Sequence, residues 1–266
     1  TKLSESLTAL SAGEMGRRIT AGEITAEACC AAALTRLDEL APLNVVIARN
    51  DSLLDQAAGL DRRRAAGERL GPLAGAPLLI KDNIDVAGLP TSAGTPALAG
   101  WRPHADAPVM RGLLAAGALV LGKANMHELA FGVTSDNAAF GRVGNPWNPA
   151  AVAGGSSGGT AAGIAGGASP AGLGTDTAGS IRIPAALCGL CGLRTTVGRY
   201  STQGVVPLSH SRDAPGPMAR EMADIALLDA LITGEPQARA VDLAGARLGV
   251  PRRHFWEMLD GETAPL

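Results

Sequence analysis

Two hydroxyl clusters flanked by glycine dominate the middle of the sequence: Gly154-Gly155-Ser156-Ser157-Gly158-Gly159 and Thr177-Ala178-Gly179-Ser180. Glycine on both sides of a hydroxyl lets the backbone adopt φ > 0 and approach a ligand closely. It also leaves several N–H groups free to point at one spot, as an anion or oxyanion site requires. One such run alone reads as a small-residue loop packed on neighbouring backbone. Two runs, with Ser156 and Ser180 24 residues apart and a helix-plus-strand pattern between them, can return to the same edge of a sheet. The chemistry they suit is nucleophilic attack by serine, and a serine hydroxyl needs a base to take its proton.

Lys81 is the third piece. It follows the apolar run Leu78-Leu79-Ile80, so its ammonium lies at a strand end near a sheet edge. Desolvated beside backbone dipoles and hydroxyls, it would have a lowered pKa and act as a base near neutrality. The competing reading is a surface lysine that keeps its head in water and pairs with Asp82 or Asp85.

Other motifs compete less well. Gly154-x-Ser156-x-Gly158 has the nucleophile-elbow spacing of α/β-hydrolases, with Asp213 and His254 available downstream. That reading needs a strand directly before the serine, whereas Asn145-Pro-Trp-Asn-Pro149 is turn-rich. It also leaves the second cluster without a purpose. Gly117 to Lys123 has phosphate-loop spacing, but Ala124 replaces the metal-binding hydroxyl and the intervening residues are apolar. Cys188-Gly-Leu-Cys191 has no second pair and no nearby histidine, so it reads as core packing, and the four histidines show no metal spacing.

The elements that must position these residues alternate. Ser11 with Glu14 reads as a capping box opening a short helix that Gly22 ends, and Thr25 caps a second helix up to Leu40. Strand patterns fall at Val45–Ala48, Pro77–Ile80, Leu119–Leu121 and Gly172–Thr175, with a last one at 247–250. Helical patterns cover Ser52–Ala66, with Arg62-Arg63-Arg64 as its solvated face, Pro108–Ala116, and the amphipathic Ala223–Ile232. A weaker Ala/Gly-rich helix signal covers Gly158–Ala165, and Ile183–Leu187 suits a helical turn. Such alternation predicts an α/β layer fold with a largely parallel sheet.

Composition narrows the function. Lys+Arg 23 against Asp+Glu 25 gives a net charge of −2, and aromatic residues make up 3%. Neither a basic footprint nor a stacking platform for nucleic acid is implied. The sequence shows neither a signal peptide nor a bilayer-crossing run, and four cysteines make no disulfide framework. A cytoplasmic setting is therefore expected.

LLIKDNID around Lys81, GGSSGG at 154–159 and GTDTAGSIRIPAALCG at 174–189 closely resemble the amidase signature family, in the right order. The similarity runs from about Ala12 to Gly234. MHELAFGVTSDN at 126–137 and HSRDAPGPMAR at 210–220 look most like its mandelamide and indoleacetamide hydrolases.

The resemblance implies a mixed, largely parallel sheet flanked by helices on both faces, read here as a single amidase-signature α/β domain over 1–266. Family members are longer, so the chain is expected to be the N-terminal portion of a longer one, truncated at its C-terminal side.

The resemblance also implies a Ser–cisSer–Lys triad. Ser180 would be the nucleophile, Ser156 the bridging serine after a cis peptide from Gly155, and Lys81 the base. Backbone N–H groups of Thr177, Ala178, Gly179 and Ser180 would form the oxyanion hole. Ser157 would hydrogen-bond behind the triad, while Asp176 and Arg182 hold the loop in shape. The family usually has glycine at position 178, so the methyl of Ala178 would narrow the acyl pocket, or strain the loop if φ is positive there.

The implied function is hydrolysis of a small aryl- or alkyl-acetamide to acid and ammonia, without metal or other cofactor. The expected partner is that amide alone, with no direct nucleic acid and no membrane; a homodimer is allowed. The alternative is the amidase-like component of a glutamine-dependent tRNA amidotransferase.

Overall fold

The computed structural model describes residues 7–247, with 249, 257, 259 and 261 beyond them. The strand expected at 247–250 falls largely outside the described residues, and His254 lies wholly outside them.

Capping residues start the first two helices where the sequence places them. In α1 (Ala12–Thr20), Ser11 Oγ accepts from the Glu14 N–H at 3.3 Å. The capping box is only half made, because Glu14 turns instead to the Arg17 guanidinium at 2.7 and 2.9 Å. A charge-assisted pair outcompetes a neutral backbone donor. In α2 (Ala26–Glu39), Thr25 Oγ1 accepts from the Ala28 N–H, and Asp61 accepts from Ala26 and Glu27. Asp61 belongs to α3 (Leu53–Ala65).

Six strands form one sheet: β1 (Val46–Arg49), β2 (Pro77–Lys81), β3 (Leu119–Ala124), β4 (Ala171–Asp176), β5 (Cys191–Gly192) and β6 (Ala214–Ala219), in the order β1-β3-β2-β4-β6-β5. The centre β3-β2-β4 is parallel, while β1 and the β6-β5 side are antiparallel. Every residue of β2, β4 and β6 is buried. Burial of consecutive residues means that both faces of these strands are covered, as expected of a parallel centre.

The remaining helices are α4 (Pro108–Ala115), α5 (Gly158–Ala165), α6 (Arg182–Cys188) and α7 (Met222–Thr233). α5 packs against β2, β3 and β4. Its glycines are a packing requirement: a Cβ on Gly159 would lie 2.4 Å from the carbonyl oxygens of both Asn125 and Val45. Close packing thus overrides the poor helix propensity that weakens this segment's signal. α7 buries Ile225 and Leu228, and its buried Asp224 accepts from the Ala12 and Gly13 N–H groups at the start of α1.

β5 and β6 go beyond the sequence reading. Pro215 and Pro217 make β6 look like a loop, since proline cannot donate to a ladder. Their carbonyls point away from β4, accepting from Thr195 Oγ1 and the Leu193 N–H. The missing N–H groups therefore lie on that same side, and the β4 ladder loses nothing.

Candidate active site

β2 and β4 are parallel neighbours, with Leu79 opposite Gly172 and Ile80 opposite Leu173. This register brings the carboxyl ends of both strands, Lys81 and Thr175-Asp176, to the same edge, where open α/β sheets hold their ligands. Ser156 comes to that edge from the loop preceding α5, and Ser180 from the loop between β4 and α6.

Lys81 is fully buried, so the surface-lysine reading fails. Its Nζ lies 2.8 Å from Ser156 Oγ, 2.8 Å from Thr175 Oγ1 and 3.3 Å from the Thr175 carbonyl. Burial pushes its pKa down to about 7, against the opposing pull of Asp176 and Asp213. At neutral pH a substantial fraction of the amine is then uncharged and has the lone pair a base needs. Sequence reasoning misses Thr175 and Asn83, whose Nδ2 donates to Thr175 Oγ1 at 3.1 Å. The signal for Thr175 is a hydroxyl at the end of an otherwise apolar buried strand.

The Gly155–Ser156 peptide is cis. A Cβ on Gly155 would meet the Ser135 nitrogen at 2.7 Å and the Thr134 nitrogen at 2.9 Å, so only glycine fits there. The Ser156 carbonyl accepts from the His127 N–H at 3.1 Å, which fixes the serine from its other side. Ser157 joins the two clusters: its N–H donates to the Ser180 carbonyl at 3.1 Å and its Oγ to the Thr175 carbonyl at 3.3 Å. Among the described residues no hydrogen bond links the side chains of Ser156 and Ser180. Ser180 is buried and lines a cavity of about 580 Å³.

Asp176 organises the loop that carries Ser180. It accepts from the N–H groups of Gly179 (2.8 Å), Ile181 (3.2 Å) and Arg182 (3.4 Å), and from the Arg182 guanidinium at 3.0 Å. Arg194, far along the chain, adds an ion pair at 3.2 Å. Burial opposes ionisation of Asp176, but these donors together hold its carboxyl below the ordinary range.

The geometry corrects one expectation. The resemblance has Gly179 offering a free N–H to an oxyanion, but that N–H is taken by Asp176. Gly179 instead supplies the turn, at φ 127°. Among the described residues the N–H groups of Thr177, Ala178 and Ser180 are unpartnered. Ala178 does not adopt positive φ, so its methyl does not strain the loop; it faces the cavity.

Asp213 holds Thr177 Oγ1 at 2.6 Å and the N–H groups of Leu208 and Ser209. It is thus a loop tie, unavailable as a triad acid, and among the described residues no strand leads directly into Ser156, which removes the nucleophile-elbow reading. Lys123 of the phosphate-loop-like motif lies buried in β3 and bonds Pro90 and Thr91. Cys188 donates to the Ala153 carbonyl, and burial pushes its thiol up to about 12.

The Amidase family profile matches residues 28–260. The chain belongs to the Amidase family. It is 43% identical over 259 residues to the A subunit of the glutamyl-tRNA(Gln) amidotransferase of Chloroflexus aurantiacus, covering 91% of this chain and 53% of that one. It is 44% identical over 233 residues to the indoleacetamide hydrolase of Rhizobium radiobacter, covering 87% and 49%. A crystal structure of an amidase superimposes with a TM-score of 0.81 at 40% identity, over 85% of this chain and 52% of that one. The peptide amidase from Stenotrophomonas maltophilia gives 0.79 at 41%, over 87% and 51%. This Amidase-family chain thus spans about half the length of the curated relatives it matches. No helix among its described residues is long and apolar enough to cross a membrane.

Proposed function

We propose that the chain carries the Ser–cisSer–Lys machinery of an amidase that hydrolyses a small aryl- or alkyl-acetamide to acid and ammonia. The supporting observation is the 2.8 Å contact between Lys81 Nζ and Ser156 Oγ inside a fully buried site. Neutral Lys81 takes the Ser156 proton as Ser156 takes that of Ser180, and Ser180 Oγ attacks the amide carbonyl. The unpartnered N–H groups of the 177–180 loop face the developing oxyanion. The proton returns through Ser156 to the amide nitrogen, the C–N bond breaks and ammonia leaves. Water, deprotonated by the same route, then attacks the acyl-Ser180 ester, releasing the acid and restoring the serine hydroxyl. A cytoplasmic setting belongs to the same reading, with all four cysteines unpaired.

The test is labelling by a fluorophosphonate, with the adduct located by peptide mass in wild type, Ser180→Ala and Lys81→Ala. Labelling at Ser180, weakened by Lys81→Ala, supports the reading. Labelling at Ser156 alone, or amide hydrolysis unchanged in Ser180→Ala, overturns it.

A second reading rests on the 43% identity to the amidotransferase component. Here the same acyl-serine chemistry releases ammonia from glutamine for the substrate of a partner protein. Glutaminase activity that arises only when the partner proteins are added would favour it over a free-standing amidase.

A further inference from the structure

We infer that Arg212 is a specificity residue: it selects amides whose acyl group carries a carboxylate at its far end. This rests on the amidase reading of the Ser180 cavity and names the substrate class of that site. The cavity wall is mostly apolar, formed by Phe131, Val133, Ala178 and Leu208. Phe131 is 78% exposed, leaving a ring face open to an aryl or methylene spacer. Among the described residues that line the cavity, Arg212 is the only charged one.

The backbone of Arg212 is held on both sides while its side chain is not. Its N–H donates to the Ser209 carbonyl at 3.1 Å, and its carbonyl accepts from Arg194 Nη2 at 3.1 Å. The next residue, Asp213, is tied to Thr177, Leu208 and Ser209. Three arginines thus lie around the Ser180 loop or the cavity it lines. Arg182 and Arg194 are bound by Asp176, whereas the Arg212 guanidinium has no hydrogen bond or ion pair among the described residues. A guanidinium on a fixed backbone, at the edge of an apolar cavity, suits bidentate capture of a carboxylate. The acyl-enzyme chemistry is unchanged; only the substituent remote from the scissile bond is recognised.

Hydrolysis of 4-carboxyphenylacetamide is compared with that of 4-nitrophenylacetamide, whose nitro group has the carboxylate's shape without its charge. Wild type favours the carboxylate amide by roughly 10- to 100-fold in kcat/KM, expressed in KM, as a charge-assisted hydrogen bond made equally in ground and transition states requires. Arg212→Gln brings the ratio to about one, and Arg212→Glu reverses preference toward 4-(aminomethyl)phenylacetamide. Calorimetric binding of the two product acids to Ser180→Ala follows the same order. Turnover of the nitro amide with no carboxylate preference, or a preference untouched by Arg212→Gln, overturns the assignment and leaves the amidase reading standing. Binding of the acids with an Arg212-dependent preference but no turnover keeps Arg212 and overturns the amidase reading. No turnover and no binding overturns both.

Discussion

Lys81 and Asp82 are adjacent in the chain, yet their side chains enter two separate buried networks. Successive residues leave a strand on opposite sides. Lys81 reaches Ser156 and Thr175, while Asp82 faces Lys123, 3.5 Å away, and accepts from Ser92 and Gly94. Their roles separate accordingly.

Lys81 sets the pH response. Its pKa near 7 predicts that kcat/KM rises through neutrality as the amine loses its proton, then levels off. Stability follows the same titration. The unfolded chain holds the Lys81 proton up to about pH 10.4, the folded chain only to about 7, so folding sheds a proton between them and stability rises with pH there. Lys81→Met lacks this dependence. Relative to wild type it should lose ground by up to about 1.4 kcal/mol per pH unit between about pH 7 and 10. Urea melts of both proteins at several pH values check this; a constant difference would contradict it.

The Asp82–Lys123 pair is structural and costly. Burial raises the Asp82 pKa and pushes Lys123 down to about 8 against their mutual attraction, so desolvation outweighs pairing on both partners. Lys123→Met alone strands a buried carboxylate and should cost about 3–5 kcal/mol. Adding Asp82→Asn should recover much of that loss, which a double-mutant cycle in urea would reveal as strong coupling.

Asp176 should be indispensable to the loop that carries Ser180. Asp176→Asn keeps the shape but loses the charge that binds two guanidiniums and one of the two oxygens that between them accept three N–H groups. Fluorophosphonate labelling of Ser180 should slow by about 10²-fold or more, the scale of losing a preorganised oxyanion donor. A labelling rate within a few-fold of wild type would show that the loop keeps its shape without this carboxylate.

Gly155→Ala tests the other serine loop. The added methyl would overlap the backbone of Thr134 and Ser135 rather than a flexible side chain, so the loop must shift. Overpacking of this kind typically costs about 1–3 kcal/mol. The displacement of Ser156 from Lys81 should remove most activity. A thermal melt and an amide-hydrolysis assay read the two effects separately.

Much of the fold was legible locally. The caps at Ser11 and Thr25, the apolar run 77–80 and the glycine stop at Gly22 act within a few residues of where they stand. The strand 214–219 was not legible, because its two prolines are acceptable only given which side of β6 faces β4. The helix at 158–165 was faint for a related reason: its glycines answer to Val45 and Asn125, distant in sequence.

The sequence by itself determined the inventory and the order of the site: two glycine-flanked serine loops and a lysine ending an apolar strand, each written in contiguous residues. Tertiary structure decided which of those groups is free to act. Lys81 is held near neutrality by burial that no local stretch encodes. Thr175 reaches both Lys81 and Asn83 only through the parallel pairing of β2 with β4. The Gly179 N–H is engaged because Asp176 turns back on its own loop, where Arg194 also binds it. Identity and spacing are local properties of a chain, whereas desolvation and hydrogen-bond competition depend on everything packed around a group.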